Sequence, residues 1–514
     1  MKILDAAAMR EVDRTAIEEM GIPSLVLMEN AAMGLADSIG EAYPDVAAVA
    51  IFCGPGNNGG DGLALARHLT ARGYEVEILV VTGGRGLRGD AEVQLQICRK
   101  AGLAIHEDQG EESIFAAVDL VSGADLVVDA VFGTGLTRPL EGMFARLVEA
   151  INMLPIPCVA VDLPSGLNGS SHGVMGPHVQ ADLTVTFGAP KVPHVLLPAA
   201  GSVGQVVVAD LGIPPGLIAE AAGDLHLLTE EDLSGYLAPR PAASHKGDFG
   251  HALIVAGSVG KSGAAILAAR AAVRSGAGLV TVAAPEPIVQ TVELGSLESM
   301  TLPLAVGDGG GLDPRTVDEI LDFSRDKRAL AVGPGLGIHD STAAAVRAIV
   351  AGCDLPLVLD ADGLNAFEGA IDDLSAAACT RVLTPHPGEL ARMVGQSVSE
   401  IQADRVLSVR DAARRSGAVV VLKGAQTLVA SPSGGVYINA TGNPGMASGG
   451  TGDVLTGILV GLLAQGLDAM SAACLSVWVH GAAGDGALEG RGTLALTAGD
   501  VLTALPAALQ ELQG

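Results

Sequence analysis

Short apolar runs alternate along the first part of this chain with stretches in which apolar residues recur every three or four positions. The runs VAAVAIFC (46–53), VEILVV (76–81) and DLVVDAVFG (125–133) have the length of strands, and DGLALARHLTARG (61–73) has helical spacing. Buried strands that alternate with amphipathic helices are typical of a parallel sheet covered on both faces. The pattern therefore predicts a doubly wound α/β domain. Its remaining predicted elements are helices around 90–101 and 141–152 and strands within 157–166, 184–190 and 204–215.

The same alternation starts again after a segment that keeps no sustained period. A Gly-rich turn (442–452) then opens into the apolar helix DVLTGILVGLLAQG (453–466). We place the boundary near 216–226 and expect two α/β domains, residues 1–220 and 226–514. The predicted strands of the second domain are HALIVAG (251–257), GLVTVAAP (278–285), ALAVGPG (329–335), PLVLDADG (356–363), RVLTPHPGE (381–389), VVVLKG (419–424) and GGVYINAT (434–441).

The chain is acidic. Of its 514 residues, 58 are Asp or Glu and 30 are Lys or Arg, which gives a net charge of −28. A nucleic-acid backbone or an anionic membrane binds to positive surface charge, so we expect neither partner. A ligand that carries phosphate would have to meet backbone N–H groups, a helix N-terminus or a metal ion. We expect small-molecule substrates and a homo-oligomer.

Cysteine usage and the chain ends bear on the cellular compartment. The six cysteines lie far apart without a CxxC pair, which predicts reduced thiols rather than disulfides or a zinc site. Asp5, Glu11 and Asp13 stand where a signal peptide needs an apolar run. The apolar stretches 454–467 and 469–479 are shorter than the roughly 18–20 residues of a bilayer span. These observations predict a cytoplasmic protein.

A strand, a glycine turn and a helix come together in GPGNNGGDG (54–62). Its glycines satisfy the GxGxxG pattern of dinucleotide-binding sites. Such a site also needs an acidic residue at the end of the second strand, whereas Glu75 and Glu77 stand at the start of that strand. An NAD-dependent dehydrogenase therefore has little support.

Polar side chains follow three strands of this domain where the strands end. Asn58 lies in the glycine turn, Asp129 precedes FGTGLTRPL (132–140), and Asp162 is followed by Ser165. Ligands of open α/β sheets bind at the carboxyl ends of the strands, so these side chains are expected to converge. Amide and carboxylate oxygens can bind a hydroxyl-bearing ring or a hard cation. The alternative is that each Asp only caps a helix.

The motifs GPGNNGGDG, DAVFGTGL and VDLPSGLNG in this order closely resemble the NAD(P)H-hydrate epimerase domain over roughly residues 1–215. The resemblance implies a Rossmann-like fold that binds a damaged cofactor. It implies that Asp162 binds the hydrate and is the candidate acid/base, and that Asn58, Asp129 and Ser165 surround a potassium ion. The other hydrate contacts it implies are Asn57, Asn58, Gly59, Gly60, Asp61, Gly133, Thr134, Gly135, Leu136, Thr137, Arg138 and Pro139.

The segment NATGNPGMASGGTGDVLTG (439–457) carries the strongest chemical signal. Its glycines leave unpaired N–H groups at the start of a helix, which is an anion site without basic side chains. A carboxylate beside bound phosphate is unfavourable unless it has a chemical role. Asp453 is therefore expected to take a proton from a hydroxyl that attacks a phosphoryl group; a plain N-cap is the alternative.

The GGTGD turn resembles the anion hole and base of the ribokinase-like superfamily. VLTPHPGE (382–389), VLKGAQT (421–427) and HKGDFGHALIVAG (245–257) narrow the resemblance to the ADP/ATP-dependent NAD(P)H-hydrate dehydratases over about 226–514. For His386 the alternative to ligand contact is a histidine packed in the core, and for Lys423 it is a lysine on the surface. The resemblance implies nucleotide contacts at Lys423, Gly424, Ala425, Gln426, Thr427 and Gly452, and hydrate contacts at Ala252, Gly335, His386 and Asp453.

The two resemblances together imply metabolite repair. The first domain would interconvert the R and S hydrates of NADH and NADPH. The second would phosphorylate the ring hydroxyl of the S form with ADP and Mg²⁺ and expel phosphate, which leaves NAD(P)H and AMP. A small-molecule kinase of the ribokinase-like superfamily is the first alternative, and a nucleotide sensor without turnover is the second.

Overall fold

The computed structural model describes residues 1–108, 123–376 and 379–513. Among these residues the chain divides into two compact units, Lys2–Asp224 and a second unit from Leu225 onward. The division lies inside the segment in which the sequence places the boundary. Each unit contains its own sheet.

The sheet of the first unit is parallel throughout, with the order β4-β3-β2-β5-β6-β7-β8 among the described strands. Counted from β2, this is the dinucleotide-binding order 3-2-1-4-5-6 with one strand added. The Rossmann-like prediction is confirmed. The strands of this unit are β1 (Lys2–Ile3), β2 (Ala48–Cys53), β3 (Glu75–Val80), β4 (Ala104–Glu107), β5 (Leu126–Ala130), β6 (Cys158–Val161), β7 (Leu183–Phe187) and β8 (Gln205–Ala209).

Helices cover both faces of this sheet. Ile51 and Val128 belong to one buried apolar cluster, whereas their neighbours Phe52 and Val127 belong to another. This is the alternation expected of strands that are buried on both faces. The helices are α1 (Ala6–Arg14), followed by a π-helical turn (Thr15–Glu19), α2 (Ser24–Ala42), α3 (Asn57–Ala71), α4 (Gly89–Lys100), α5 (Gly142–Asn152), α6 (Val192–Val195) and α7 (Pro215–Glu220), with a 3-10 turn at Ala199–Ser202.

The strands described from Leu225 onward follow the order β9-β18-β17-β16-β15-β14-β13-β10-β11-β12. They are parallel from β16 to β12, but β17 is antiparallel to both of its neighbours. The strands are β9 (Leu225–Leu227), β10 (His251–Val255), β11 (Leu279–Pro285), β12 (Met300–Leu304), β13 (Ala329–Val332), β14 (Leu357–Leu359), β15 (Arg381–Leu383), β16 (Val419–Leu422), β17 (Leu428–Ala430) and β18 (Val436–Ile438).

Five of the described strands were missed by the sequence pattern: β1 and β4 in the first unit and β9, β12 and β17 in the second. Of these, β1 has two residues, β9 and β17 have three and β4 has four, which is too short for a clear period of two. The fifth, β12, lies at one edge of its sheet and carries a proline, Pro303, which weakens a strand pattern.

The helices of the second unit include one that is buried on all sides. In α17 every residue from Val454 to Ala464 is buried, and a Cβ atom placed on Gly457 would collide with the Ala268 carbonyl of α9. The helices are α8 (Glu230–Leu233), α9 (Ser262–Arg274), α10 (Glu286–Gly295), α11 (Val317–Ser324), α12 (Asp340–Gly352), α13 (Asp362–Asn365), α14 (Pro387–Val394), α15 (Val398–Ala403), α16 (Arg405–Ser416), α17 (Thr451–Ala464), α18 (Ala469–Ala487) and α19 (Ala498–Gln513).

Two sequence expectations can be compared with these elements. The six cysteines are free thiols, as expected. None of the helices in the described ranges is long and apolar enough to cross a membrane.

Candidate active sites

The glycine turn of the first unit lies where β2 and β5 separate. The Gly54 N–H donates to the Ala130 carbonyl at 3.0 Å. A Cβ atom on Gly54 would collide with the Val131 carbonyl, so this close approach requires glycine. Asn57 is the first residue of α3. The turn therefore opens at the strand-order switch, where ligands bind in sheets of this kind.

Asp162 follows β6 directly and has a left-handed backbone, with a φ of 62°. Its Oδ1 atom accepts hydrogen bonds from Lys191 Nζ at 2.7 Å and Thr186 Oγ1 at 2.9 Å. Burial alone would raise the pKa of Asp162, but the adjacent Lys191 cation, together with His194 and the Thr186 hydrogen bond, outweighs burial and holds the pKa below its ordinary value. Asp162 is thus an ionised carboxylate inside the domain.

Three further carboxyl groups line the same pocket as Asp162, those of Asp13, Asp61 and Asp90. Burial raises the pKa of Asp61 well above its ordinary value, and the charges of Asp162 and Asp13 add to the shift. Burial also raises the pKa of Asp13, on α1, to about 6. Carboxyl groups whose pKa values are driven apart in one pocket are suited to acid and base roles. Asp13 and Lys191 were not predicted from the sequence.

Asp129 and Ser165 are brought into direct contact. The Asp129 carboxylate accepts from Ser165 N at 2.7 Å and from Ser165 Oγ at 2.6 Å, and burial raises its pKa to about 6. The Oδ1 atom of Asn58 faces the Gly133 position, and its buried Nδ2 has no hydrogen-bond partner among the described residues. Carboxylate, hydroxyl and amide oxygens fit a hard monovalent cation. No cluster of three or more His, Cys, Asp or Glu suited to a metal occurs in the described ranges.

The predicted hydrate contacts of this unit fall into two groups. Asn57, Asp61, Thr134 and Asp162 line the pocket. The others lie in or next to the two loops that flank it: Asn58, Gly59, Gly60, Gly133, Gly135, Leu136, Thr137, Arg138 and Pro139.

In the second unit a buried carboxylate, Asp360, connects the sheet to the glycine-rich helix. It follows β14, and its Oδ1 atom accepts from Lys423 Nζ and Thr384 Oγ1, both at 2.7 Å. Its Oδ2 atom accepts from Thr456 Oγ1 of α17, also at 2.7 Å. Sequence reasoning missed this group, although both Asp360 and Thr384 stand directly after an apolar run. Asp360 thereby fixes α17 relative to the strand ends.

We expect Thr456→Val to destabilise the second domain by about 1–3 kcal/mol, because it leaves a buried carboxylate oxygen without its donor. Urea unfolding of the variant measures this loss. Thr503→Val is the matched control, since the Thr503 hydroxyl bonds a carbonyl on the exposed face of α19. Equal stability of the two variants would contradict a structural role for the Asp360 contact.

Asp453 lies in the first turn of α17, after Gly450, whose φ is 94°. The N-cap position is Gly450, without a side-chain cap, so the interpretation of Asp453 as N-cap is wrong. Burial raises the pKa of Asp453 to about 7, and the charge of Asp360 adds to this while Lys423 opposes it. Asp453 is therefore a carboxyl group that titrates near neutral pH beside exposed helix N–H groups.

Lys423 is not a surface lysine. Its Nζ bonds Asp360 and lies 3.7 Å from Glu389 Oε2, and a Cβ atom on Gly452 would lie 3.5 Å from it. Burial lowers the pKa of Lys423, but the two carboxylates outweigh burial and raise it. A cation thus stands beside the turn that precedes Asp453.

The loop Gly424–Thr427 follows Lys423 and is held by side chains. Arg405 donates to the Ala425 carbonyl, and Thr427 Oγ1 donates to Gly424 O at 3.0 Å. Gln426 has a φ of 53°. The loop predicted to bind the nucleotide is therefore a fixed turn next to the anion site.

His386 precedes α14 and caps it. Its Nδ1 atom accepts from Gly388 N at 2.9 Å and from Glu389 N at 3.2 Å. The side chain is 51% exposed, so the alternative of a core histidine is wrong. With Nδ1 as acceptor, the ring proton of a neutral His386 lies on Nε2.

The prediction for Ala252 needs correction. Ala252 is fully buried near the amino end of β10, paired with Val280 and Ala329, whereas ligands meet the carboxyl ends of such strands. Gly335, in contrast, lies beyond the carboxyl end of β13, and a Cβ atom on it would lie 3.0 Å from the Ala264 Cβ. Ala264, at the start of α9, is therefore the alanine that stands beside Gly335.

Comparison with known proteins finds matches to both units of this chain. A family model described as YjeF-related protein N-terminus matches residues 24–192, and one described as NAD(P)H-hydrate dehydratase matches residues 252–507. The bifunctional NAD(P)H-hydrate repair enzyme Nnr of Moorella thermoacetica is 43% identical over 100% of this chain and 97% of its own length. This chain belongs to the same family. The Nnr enzyme of Escherichia coli is 35% identical to this chain. The match covers 96% of this chain and 92% of the Escherichia coli enzyme.

Solved structures support the fold of the second unit. The ADP/ATP-dependent NAD(P)H-hydrate dehydratase of Bacillus subtilis, co-crystallised with ATP and Mg²⁺, is 33% identical with a TM-score of 0.50. The match covers 57% of this chain and 100% of the Bacillus subtilis chain. The ribokinase-like α/β prediction is confirmed, and the relatives favour metabolite repair over a vitamin or sugar kinase.

Proposed function

We propose that this chain repairs hydrated nicotinamide dinucleotides in two steps. The first unit interconverts the R and S hydrates of NADH and NADPH. The second dehydrates the S hydrate with ADP and forms NAD(P)H, AMP and phosphate. The observation that carries the proposal is Asp453, a carboxyl group poised near neutral pH at an open helix N-terminus.

In the second unit the backbone N–H groups at the start of α17 would hold the nucleotide phosphates. The ring hydroxyl attacks the terminal phosphoryl group, its proton passes to Asp453, and AMP leaves. The lone pair of the ring nitrogen then expels phosphate, and a proton leaves the neighbouring ring carbon to restore the dihydronicotinamide. Lys423 and the turn from Gly424 to Thr427 would bind the nucleotide. Mg²⁺ bound together with the nucleotide would shield the charge of its phosphates.

The hydrate would lie between Gly335 and His386 in this unit. Gly335 lies beyond the carboxyl end of β13, and the half-exposed His386 ring, whose Nε2 also lies 3.5 Å from Glu389 Oε1, would meet a carboxamide or hydroxyl oxygen. We assign Ala264 to this wall in place of Ala252. The choice of ADP over ATP, the cytoplasmic location and the homo-oligomer stay predictions.

In the first unit Asp162 would act as a proton carrier. It takes the proton of the hydroxyl on the hydrated carbon, the bond from that carbon to the ring nitrogen opens, and the nitrogen receives the proton. Rotation and closure in the reverse order place the hydroxyl on the other face. Asn58, Asp129 and Ser165 would hold potassium, which supplies a fixed positive charge in the pocket.

The test is the near-ultraviolet absorbance of restored NADH when the protein meets a mixed R/S hydrate with Mg²⁺ and either ADP or ATP. We expect the signal to rise with ADP and to proceed past the S fraction to near completion. A plateau at the S fraction would remove the epimerase. A stable phosphorylated product without phosphate release would favour the kinase.

The pH dependence of the dehydratase follows from Asp453. Its pKa is about 7 in the free protein, and a base must be ionised to accept a proton. Below that pH, kcat/KM, which reports the free enzyme, is expected to fall about tenfold for each pH unit. Initial rates between pH 5 and pH 9 measure the profile, and a rate independent of pH below 7 would exclude Asp453 as the base.

A further inference from the structure

Lys191 is the most deeply buried cation of the first unit, with 1% of its side chain exposed. Its ammonium group donates to Asp162 Oδ1 at 2.7 Å, to Thr186 Oγ1 at 2.8 Å and to the Phe187 carbonyl at 3.0 Å. A lysine has three N–H donors, and all three are used. Lys191 therefore has no donor left for a substrate.

These contacts make the two oxygens of Asp162 unequal. Oδ1 accepts from Lys191 and also from Thr186 Oγ1 at 2.9 Å. Because the Thr186 hydroxyl accepts from Lys191, its single proton is directed to Asp162. No residue in the described ranges donates to Oδ2, which lies 3.3 Å from the Cβ position of Gly133, next to Asn58. Oδ2 is the oxygen that faces the predicted hydrate loops.

His194 holds the backbone of the same residue. Its Nε2–H donates to the Asp162 carbonyl at 2.8 Å, and its Nδ1 accepts from Lys191 N at 2.9 Å. Both ring nitrogens are thus engaged in the roles of a neutral imidazole, and burial lowers the pKa of His194 to about 4. The imidazole fixes the left-handed conformation that Asp162 adopts after β6.

We propose that Lys191, Thr186 and His194 are positioning residues that make Oδ2 of Asp162 the proton-exchanging atom of the epimerase. The inference rests on the proposed epimerase function and extends it from a residue to an atom. The residues that do this work lie in TFGAPKVPH (186–194), outside the motifs from which the family resemblance was drawn. They reach Asp162 from β7 and α6.

Thr186→Val and Thr186→Ser form the sharpest pair of variants, because valine keeps the shape of threonine and serine keeps its hydroxyl. We expect Thr186→Val to lower the epimerase kcat at least about tenfold, with KM changed less than about threefold. Thr186→Ser should regain most of the loss. Dehydration of the pure S hydrate by the same preparations shows that the second unit is folded and active, and the recovery with serine shows that the first unit is folded.

The outcomes separate the inference from the function on which it rests. If the unaltered protein does not convert the R hydrate, the epimerase proposal itself fails. If the unaltered protein converts the R hydrate and Thr186→Val converts it equally well, the positioning role is overturned. A rise in the epimerase KM without a loss of kcat overturns it too. A loss of kcat that serine does not restore would also overturn it.

Lys191→Met provides an independent measurement. The titratable groups that face Asp162 or line its pocket are Lys191 and His194 from the α6 segment, Asp13 on α1, Asp61 on α3 and Asp90 on α4. Without the lysine, the protein groups that remain around the carboxylate are neutral or acidic. The limb of the epimerase pH profile that reports its ionisation should therefore move to higher pH by at least about one unit. A lowered plateau with an unmoved limb would overturn the inference.

Discussion

Asp453→Asn is expected to lower the kcat of the dehydratase by about 10²–10⁴-fold, the usual contribution of a positioned general base. Asparagine has nearly the same shape as aspartate, so the first turn of α17 and its exposed N–H groups are retained. It removes the carboxylate that takes the proton of the attacking hydroxyl. Nucleotide binding should be kept or strengthened, because a negative charge beside the phosphates is lost. Release of phosphate from the S hydrate and ADP measures the effect.

The control for this prediction is Asp500→Asn. Asp500 also lies in the first turn of a helix, α19, where it accepts from Thr497 N and Thr497 Oγ1. Asp500→Asn makes the same chemical change at a similar helix position. We expect the dehydratase activity of this variant to stay within about twofold of that of the unaltered protein. If Asp453→Asn retains more than about a tenth of the normal kcat, another group accepts the proton. Asp453 would then act only through its charge.

Part of the site could be predicted from the sequence because ligands of open α/β sheets bind at the carboxyl ends of the strands. Asn57, Asp129 and Asp162 each stand at or just after the end of an apolar run, and parallel strands bring such ends together. Asp453 could be predicted because its glycine-rich turn is local in sequence. In both units the sequence pattern was sufficient wherever one strand, one turn and one helix define the geometry.

The groups that orient these side chains could not be predicted in the same way. Lys191 reaches Asp162 across 29 positions, and Thr456 reaches Asp360 across 96. Such contacts depend on which strands become neighbours, and a single sequence does not state the strand order. The error for Ala252 has a related cause, because an apolar run shows that a strand is buried but not which residue of it lies at the ligand edge.

The antiparallel hairpin of the second sheet illustrates a limit of another kind. β17 and β18 have three residues each and are joined by the short turn 431–435. A run of three residues does not distinguish a hairpin from the end of a parallel crossover. Only the longer run GGVYINAT was predicted as a strand. Its direction relative to its neighbours became visible in the structure.

Asp162→Asn is expected to lower the kcat of the epimerase by about 10²–10⁴-fold. The amide keeps an oxygen that can accept from Lys191 and Thr186, so the pocket keeps its form. It cannot take up the hydroxyl proton and return it. In the absorbance assay with a mixed hydrate and ADP, the unaltered protein should proceed to near completion. The variant should instead stop at the S fraction.

The absorbance plateau at the S fraction is more informative than an initial rate, because it distinguishes the activity of the first unit from that of the second within one preparation. A variant that reaches the S plateau at the normal speed has an intact dehydratase and has lost only epimerisation. Asp162→Asn also leaves the buried Lys191 without its ionised partner, which is expected to cost the first domain about 3–5 kcal/mol of stability. Asp182→Asn is the matched control, since Asp182 accepts from Cys158 N at the start of β6, away from the pocket. Completion of the reaction by Asp162→Asn would exclude Asp162 as the proton carrier.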